Sequence, residues 1–167
     1  MDSNLLYQKI GEFVVSFQWL EHRLREIGWL ITDPNRKIWP PKDLRDDSNV
    51  QLLNKIEIIY IDFIKASRIT EKDKKILSFK ETIASLHEHR KYRNLLLHSV
   101  YLEISKGDDN DEIWRSNPKL KYVDGEPVFD TESLTPEKIE EVMLIMAHDA
   151  LAINICYVQA LQLAGTY

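Results

Sequence analysis

Residues 13–31, FVVSFQWLEHRLREIGWLI, decide the fold class of this chain. Large apolar side chains recur there every three or four residues, at Phe13, Phe17, Leu20, Leu24, Ile27 and Ile31. This period lines one face of an α-helix. The sequence therefore predicts a long amphipathic helix over 4–31. It ends before Pro34, because the residue preceding a proline avoids the helical conformation, and a proline-containing loop follows over 33–47.

Two further helices follow that loop. Apolar residues at helical spacing predict a helix over 49–66, with Ser48 or the aspartate before it as the cap. Thr70 and Asp73 resemble a capping box and predict a third helix that reaches at least His98.

The pattern changes after that helix. Residues 100–104 alternate between apolar and polar, and Gly107 to Asn110 has the composition of a turn. Asp124-Gly125 is a hairpin signal. The sequence predicts a small β-rich insertion over 100–132, with short strands at 100–104, 113–115, 119–123 and 127–129.

The last helix has a clear beginning and end. Thr135 is the expected cap, Pro136 takes the first helical position, and Gly165 is placed to terminate the helix. We therefore expect a mainly α protein, an up-and-down bundle of about four long helices with the β-rich insertion before the last one. The 167 residues are interpreted as a single domain, 1–167.

The net charge of the chain limits the kinds of molecule that it is expected to bind. The net charge is −5, from 27 acidic and 22 basic residues, so non-specific binding through many phosphates is disfavoured. We expect no DNA partner, and RNA contact only through a local basic patch. The single cysteine, Cys156, cannot form an internal disulfide.

The longest apolar stretch, 142–164, is interrupted by polar residues, among them His148 and Asp149. Charges are costly at bilayer depth, so this stretch is interpreted as a core helix and no membrane partner is expected. The first residues lack the basic start and apolar run of a signal peptide. These features predict a cytoplasmic protein.

Residues 87–98 are the segment whose composition indicates chemistry, because they are basic and rich in histidine. At 100° per residue, Arg90, Asn94 and His98 fall on one polar side of the helix, whereas Arg93 falls among leucines. A guanidinium is expensive to bury without a partner. Arg93 should therefore meet a carboxylate, reach a cleft or interface, or sit where the helix is distorted.

A structural ion pair of Arg93 with Glu21 or Glu26 is the main alternative, and for His98 alone a satisfied core position is another. Together, however, the residues suit phosphate chemistry. Arginine holds a phosphate bidentately, histidine exchanges a proton near neutral pH, and Asn94 could orient either group. This set could serve metal-free attack on a phosphodiester.

Arg93-Asn94-Leu95-Leu96-Leu97-His98 resembles the motif of HEPN domains (higher eukaryotes and prokaryotes nucleotide-binding), an arginine and a polar residue followed by a histidine. In that family the motif follows two or three helices and precedes a final one, which is the order predicted here. The resemblance covers the first three helices and the last one. The 100–132 insertion has no counterpart.

The resemblance implies a metal-independent endoribonuclease, a toxin or a phage-defence effector, that needs no cofactor. His98 would be the general base or acid at the RNA 2′-hydroxyl, Arg93 would stabilise the phosphorane charge, and Asn94 would position one of them. Arg90, Lys91 and Tyr101 would bind RNA. Family members usually form homodimers in which two motifs face one cleft.

The chain departs from one toxin branch, in which an antitoxin modifies a tyrosine two residues after the histidine. Here the tyrosine is Tyr101, three residues after His98. Any antitoxin would be a separate protein. Two alternatives remain open: a catalytically silent HEPN-like module that binds a nucleotide or protein partner, and a structural dimer with Arg93 in an interface ion pair. His87 and His89 lie on different helix faces, so no metal site is expected.

Overall fold

The structure is a computed structural model that describes residues 3–35, 41–105, 111–119 and 121–165. The described chain is mostly helical, with a small strand region before the last helix, which confirms the predicted class. Its helices are α1 (Ser3–Thr32), α2 (Lys42–Arg45), α3 (Asn49–Ala66), α4 (Lys72–His98) and α5 (Pro136–Ala164).

The apolar stripe that predicted α1 is buried as expected. Its first five members, from Phe13 to Ile27, are almost fully inaccessible to solvent, and Ile31 is partly exposed because Leu30 takes the buried position at the end of the helix. Burial of this continuous face is what stabilises a helix of 30 residues.

The 33–47 segment is not a simple loop, because it contains the short helix α2. Leu44 of α2 is buried, and its carbonyl oxygen accepts a hydrogen bond of 3.1 Å from Nε of Arg25. Gly28 of α1 lies close to Leu44 and to Ile56 of α3. A Cβ atom at this position would clash with Cδ1 of Ile56 and lie 3.1 Å from Cδ1 of Leu44, so the close packing requires glycine. Four residues are too few to show a helical period, so the sequence pattern could not reveal α2.

Helix starts were predicted with mixed success. At α3, the amide oxygen of Gln51 accepts hydrogen bonds from the Ser48 N–H and hydroxyl, at 3.0 and 2.8 Å, which confirms Ser48 as the cap. The Thr70 capping box is wrong, because α4 begins at Lys72 after Glu71, whose φ is +56°. The Glu71 carbonyl instead accepts the first helical bond, from Lys75 N–H at 3.1 Å.

The strand region contains β1 (Val100–Ser105), β2 (Asp111–Ser116), β3 (Lys121–Val123), β4 (Glu126–Val128) and β5 (Thr131–Leu134). One antiparallel sheet has the order β1-β2-β5, so β1 and β5 are its edges, and β3 pairs with β4. Asp124 and Gly125 both have positive φ, which confirms the tight hairpin. β5 was not predicted and extends the insertion past residue 132, while the predicted turn at 107–110 lies outside the described residues.

Two compact units account for the chain. The first comprises Met1–Ser16 with Lys91–Ile145, and includes the strands. The second comprises Phe17–Arg90 with Met146–Tyr167. The expectation of a single domain stays a prediction.

Helix α5 is only partly the core helix that was expected. Met146, Asp149, Ile153 and Ala160 are buried along one side, but only 17% of its most apolar 18-residue window is buried. α5 is long and apolar enough to cross a membrane. A single helix of this kind is weak evidence for a membrane span, so α5 does not indicate a membrane protein. Gly165, with φ +66°, follows the helix as predicted.

Candidate functional site

Arg93 and Asn94 are joined directly at the end of α4. Nη1 of Arg93 donates a hydrogen bond of 3.0 Å to Oδ1 of Asn94, and both residues are half-buried. The amide therefore holds one end of the guanidinium in a fixed direction. The structure thus brings two of the predicted site residues, Arg93 and Asn94, into direct contact.

The placement of Arg93 is unusual because its charge is not matched by any described carboxylate. Nε is buried and has no hydrogen-bond partner, and among the residues that the structure describes no carboxylate forms an ion pair with Arg93. Glu26, considered above as a partner, binds Arg23 at 2.7 Å. A buried donor without an acceptor costs about 1–3 kcal/mol, so Arg93 carries unused capacity to bind an anion.

The helix geometry behind this placement was predicted correctly. Thr82, Leu86, His89 and Leu96 are buried along one face of α4, and the spacing of four and three residues puts Arg93 on that same face. Arg93 therefore does lie on the apolar side of the helix.

His98 occupies the last position of α4 and is exposed to solvent. The core position considered for it is therefore wrong. α4 runs as an α-helix through this residue, so Arg93 and His98 are separated by about 140° around the axis and about 7.5 Å along it. Asn94, one turn before His98, lies on the same side.

Two hydroxyl groups fix the end of α4 next to His98. Tyr101 on β1 donates a hydrogen bond of 2.7 Å to the carbonyl of Leu96, and Ser99 donates one of 2.7 Å to the carbonyl of Leu95. These carbonyls are among the last four of the helix, which have no partner within it. Tyr101 therefore has an observed structural role, and its predicted contact with RNA stays a prediction.

Aromatic rings from α1 pack against this end of the first unit. Phe13 and Tyr92 meet edge to face with ring centroids 5.5 Å apart, and Tyr7 and Tyr101 do so at 6.0 Å. Burial, and then the Glu132 carboxylate, raise the pKa of Tyr92 to about 12. These edge-to-face contacts pack the rings of Tyr7 and Phe13 against the end of α4 and the start of β1.

Arg115 is a buried arginine in the first unit, which sequence reasoning missed. It lies on β2 opposite Tyr101 in the register, and its guanidinium contacts Glu132 at 2.8 Å and Asp130 at 3.4 Å. Its positive charge counteracts the rise that burial causes in the pKa of Tyr101. Unlike Arg93, Arg115 is neutralised by its partners.

The two other predicted RNA-binding residues differ in exposure. Lys91 is exposed and belongs to the first unit. Arg90 belongs to the second unit and is half-buried, with its Nε buried and without a hydrogen bond.

The second unit contains a buried polar cluster that was also missed. Oδ2 of Asp149 lies 2.9 Å from Nε2 of His89 and accepts a hydrogen bond of 2.6 Å from the Ser85 hydroxyl. Helical spacing places His89 on the buried face of α4, a signal that was available. The sequence could not supply Asp149 as the partner, because it comes from α5, about 60 residues away.

The described residues were compared with the requirements of a metal site, and the chain with known proteins. No group of three or more histidine, cysteine, aspartate or glutamate side chains that could hold a metal ion occurs in the described ranges. No family model, curated protein or solved structure matches this chain.

Proposed function

We propose that this chain is a metal-independent endoribonuclease of the HEPN type that acts in the cytoplasm as a toxin or phage-defence effector. The observation that carries the proposal is the end of α4. There, a half-buried Arg93 is held by Asn94, has an unsatisfied Nε and lacks a carboxylate partner among the described residues, while His98 is open to solvent.

The proposal includes the finer architecture of that family. The long helices α1, α3, α4 and α5 would form an up-and-down bundle, with β1 to β5 as an insertion before α5. The chain would act as a homodimer, and a separate antitoxin protein would restrain it.

The proposed reaction gives each motif residue a separate role. His98 removes the proton of an RNA 2′-hydroxyl, whose oxygen then attacks the adjacent phosphorus. The bond from phosphorus to the 5′-oxygen breaks, and that oxygen takes up a proton from a histidine acting as general acid. Arg93, aligned by Asn94, stabilises the negative charge of the phosphorane. The products are a 2′,3′-cyclic phosphate and a 5′-hydroxyl.

The proposal includes a second subunit because of the geometry of α4. Within one chain, Arg93 and His98 leave the helix about 140° apart, so one motif does not offer both groups to the same phosphate. A homodimer with two facing motifs supplies Arg93 from one subunit and His98 from the other, and the second histidine serves as the general acid.

The test is cleavage of single-stranded RNA in EDTA by the purified full chain. We expect the wild type to release 2′,3′-cyclic phosphate ends, detected by mass spectrometry. His98→Ala should lose activity by about 10²–10⁴-fold, the usual value of positioned proton transfer. His22→Ala is the matched control, because His22 is likewise an exposed helical histidine, and it should cleave like the wild type.

Two outcomes would contradict the proposed ribonuclease activity. One is intact RNA at high concentrations of wild-type protein. The other is equal cleavage by wild type and His98→Ala, which would indicate a contaminant.

The second candidate is a catalytically silent HEPN-like module that binds a nucleotide or a protein. The regular course of α4 favours it, because Arg93 and His98 diverge in one chain. It predicts RNA or nucleotide binding that Arg93→Ala weakens, with no cleavage at any concentration.

A further inference from the structure

Strand β1 leaves one side of its backbone without a neighbouring strand. It pairs with β2 over six consecutive residues, Val100 to Ser105, and lies at the edge of the sheet. Among the residues that the structure describes, no backbone hydrogen bond joins β1 to any segment other than β2. The N–H and C=O groups on the outer side of an edge strand form a row with which another chain can pair. β1 therefore offers backbone donors and acceptors along its whole length.

The opposite edge of the same sheet is protected. It is formed by β5, which has only four residues, and Nζ of Lys138 donates a hydrogen bond of 2.6 Å to the carbonyl of Ser133. A lysine at a sheet edge is a common device that keeps other strands away. β1 has no lysine and no proline, and its register with β2 contains no bulge. β1 is therefore the longer edge, and its sequence carries none of these devices.

The side chains of β1 add an apolar row to this open edge. Val100, Leu102 and Ile104 alternate along the strand, lie on one face of the sheet and are 51%, 52% and 43% exposed. Leu102 is opposite the half-buried Trp114 of β2 in the register, so the same face continues into the sheet. A strand added to β1 places its own alternate side chains beside this row, where apolar cross-strand pairs are favourable.

We propose that β1 is the docking site for an extended segment of another protein, which joins the sheet as a further strand. The segment has apolar residues at alternate positions and lysine or arginine between them. The open backbone row requires this class of occupant, because an extended chain presents its own donors and acceptors at the matching spacing. A helix satisfies its backbone groups internally and would leave those of β1 unpaired.

Charge selects the basic residues of the segment. Glu103 is the charged residue of β1, and it is exposed on the face opposite to Leu102. Its carboxylate accepts a hydrogen bond of 3.3 Å from the Tyr7 hydroxyl, and within the described ranges it forms no ion pair. Opposite charges on neighbouring strands stabilise a sheet, whereas like charges destabilise it. The net charge of −5 also favours a basic partner.

The inference goes beyond the proposed function, uses none of its motif residues and is tested without RNA. The probe is a fluorescent peptide about as long as β1 in which lysine and valine alternate, and its binding to the full chain is measured by fluorescence anisotropy. A peptide of the same composition, with its lysines and valines in separate blocks, should bind at least about tenfold more weakly. The alternating peptide with N-methylated amides should be weakened as much, because it lacks the backbone donors.

Two further measurements locate the peptide on β1. Amide hydrogen exchange of β1 should slow when the alternating peptide is bound, while that of β4 should not change. Glu103→Gln should weaken binding of this peptide by about two- to fivefold, the value of a cross-strand charge pair. Glu126→Gln is the matched control, since Glu126 is likewise an exposed glutamate on a strand, and it should bind like the wild type. Circular dichroism confirms that both variants are folded.

Three results would overturn the proposal. The first is no binding, or equal binding of the alternating and block peptides, which would reflect charge attraction alone. The second is unchanged exchange along β1 in the presence of bound peptide. The third is slow exchange of β1 in the free chain that becomes fast on dilution, which would show that a second copy of this chain covers the edge. Each can occur with RNA cleavage intact, so failure here is distinct from failure of the nuclease.

Discussion

Nε2 of His89 on α4 lies 2.9 Å from Oδ2 of Asp149 on α5, and the two residues are only 4% and 6% exposed. Ser85 donates a second hydrogen bond to the same carboxylate oxygen. Two long helices of the second unit are thus joined by a buried polar link, whose members depend on one another.

Removing the acceptor should destabilise the fold strongly. Asp149→Ala leaves the buried His89 and the half-buried Ser85 without that partner, and we expect a loss of about 3 kcal/mol in the free energy of unfolding. Urea unfolding measures the change. Asp62→Ala, at an exposed aspartate on α3, should stay within about 0.5 kcal/mol of wild type. Equal effects of the two variants would show that the link contributes nothing to stability.

The Arg115 cluster should respond in a similar way. Glu132→Ala removes the carboxylate at 2.8 Å and leaves Asp130, at 3.4 Å, as the remaining partner of this buried arginine. We expect a loss of about 2–3 kcal/mol by urea unfolding. Glu126→Ala on the exposed strand β4 is the control and should be nearly neutral. A neutral Glu132→Ala would mean that Asp130 alone satisfies Arg115.

These two clusters show where prediction from sequence ends. The helices α1, α3, α4 and α5 were predicted to within about two residues, because apolar period and caps are local signals. The pairing of His89 with Asp149 is not local, since it depends on how α4 and α5 pack. The same applies to Arg115, which looked like one more charged residue in a short strand.

The candidate site was only partly predictable for the same reason. Helical geometry correctly placed Arg93 on the buried face and separated it from His98. It could not show that Asn94 binds the guanidinium, nor that Tyr101 caps the end of α4. These contacts depend on side-chain rotamers and on the path of the chain after His98.

Alkaline pH should destabilise the protein through Tyr92. Its pKa is about 12 in the folded chain against about 10 when unfolded, so the unfolded state loses its proton first. The contribution of Tyr92 is fully present below pH 10 and is lost between pH 10 and 12, at about 3 kcal/mol in all. Unfolding free energies at pH 9 to 12 should fall less steeply for Tyr92→Phe. An identical slope would refute this assignment.

Cys156 should react slowly while the protein is folded. Burial raises the pKa of its thiol, and the thiolate is the form that attacks thiol reagents. We expect labelling at pH 8 to be at least about tenfold slower in the native protein than in urea. Equal rates would show that the thiol is accessible in the folded state.

Arg93→Lys tests whether the proposed nuclease needs the paired N–H donors of the guanidinium group. Lysine keeps the positive charge but cannot hold a phosphate bidentately or keep the same bond to Asn94. If the proposed function holds, cleavage should fall by at least about tenfold while the variant remains folded. Arg23→Lys, on α1 and paired with Glu26, is the control. Full activity of Arg93→Lys would show that Arg93 contributes only its positive charge.

The position of β1 at the sheet edge has a practical consequence. Val100, Leu102 and Ile104 are exposed at alternate positions along this strand, and its outer backbone groups have no neighbouring strand within the described sheet. An open edge with an apolar face is a template for strand-to-strand aggregation. β1 is therefore a place where aggregation of this protein can begin, and Leu102→Lys should raise the concentration at which the protein stays in solution.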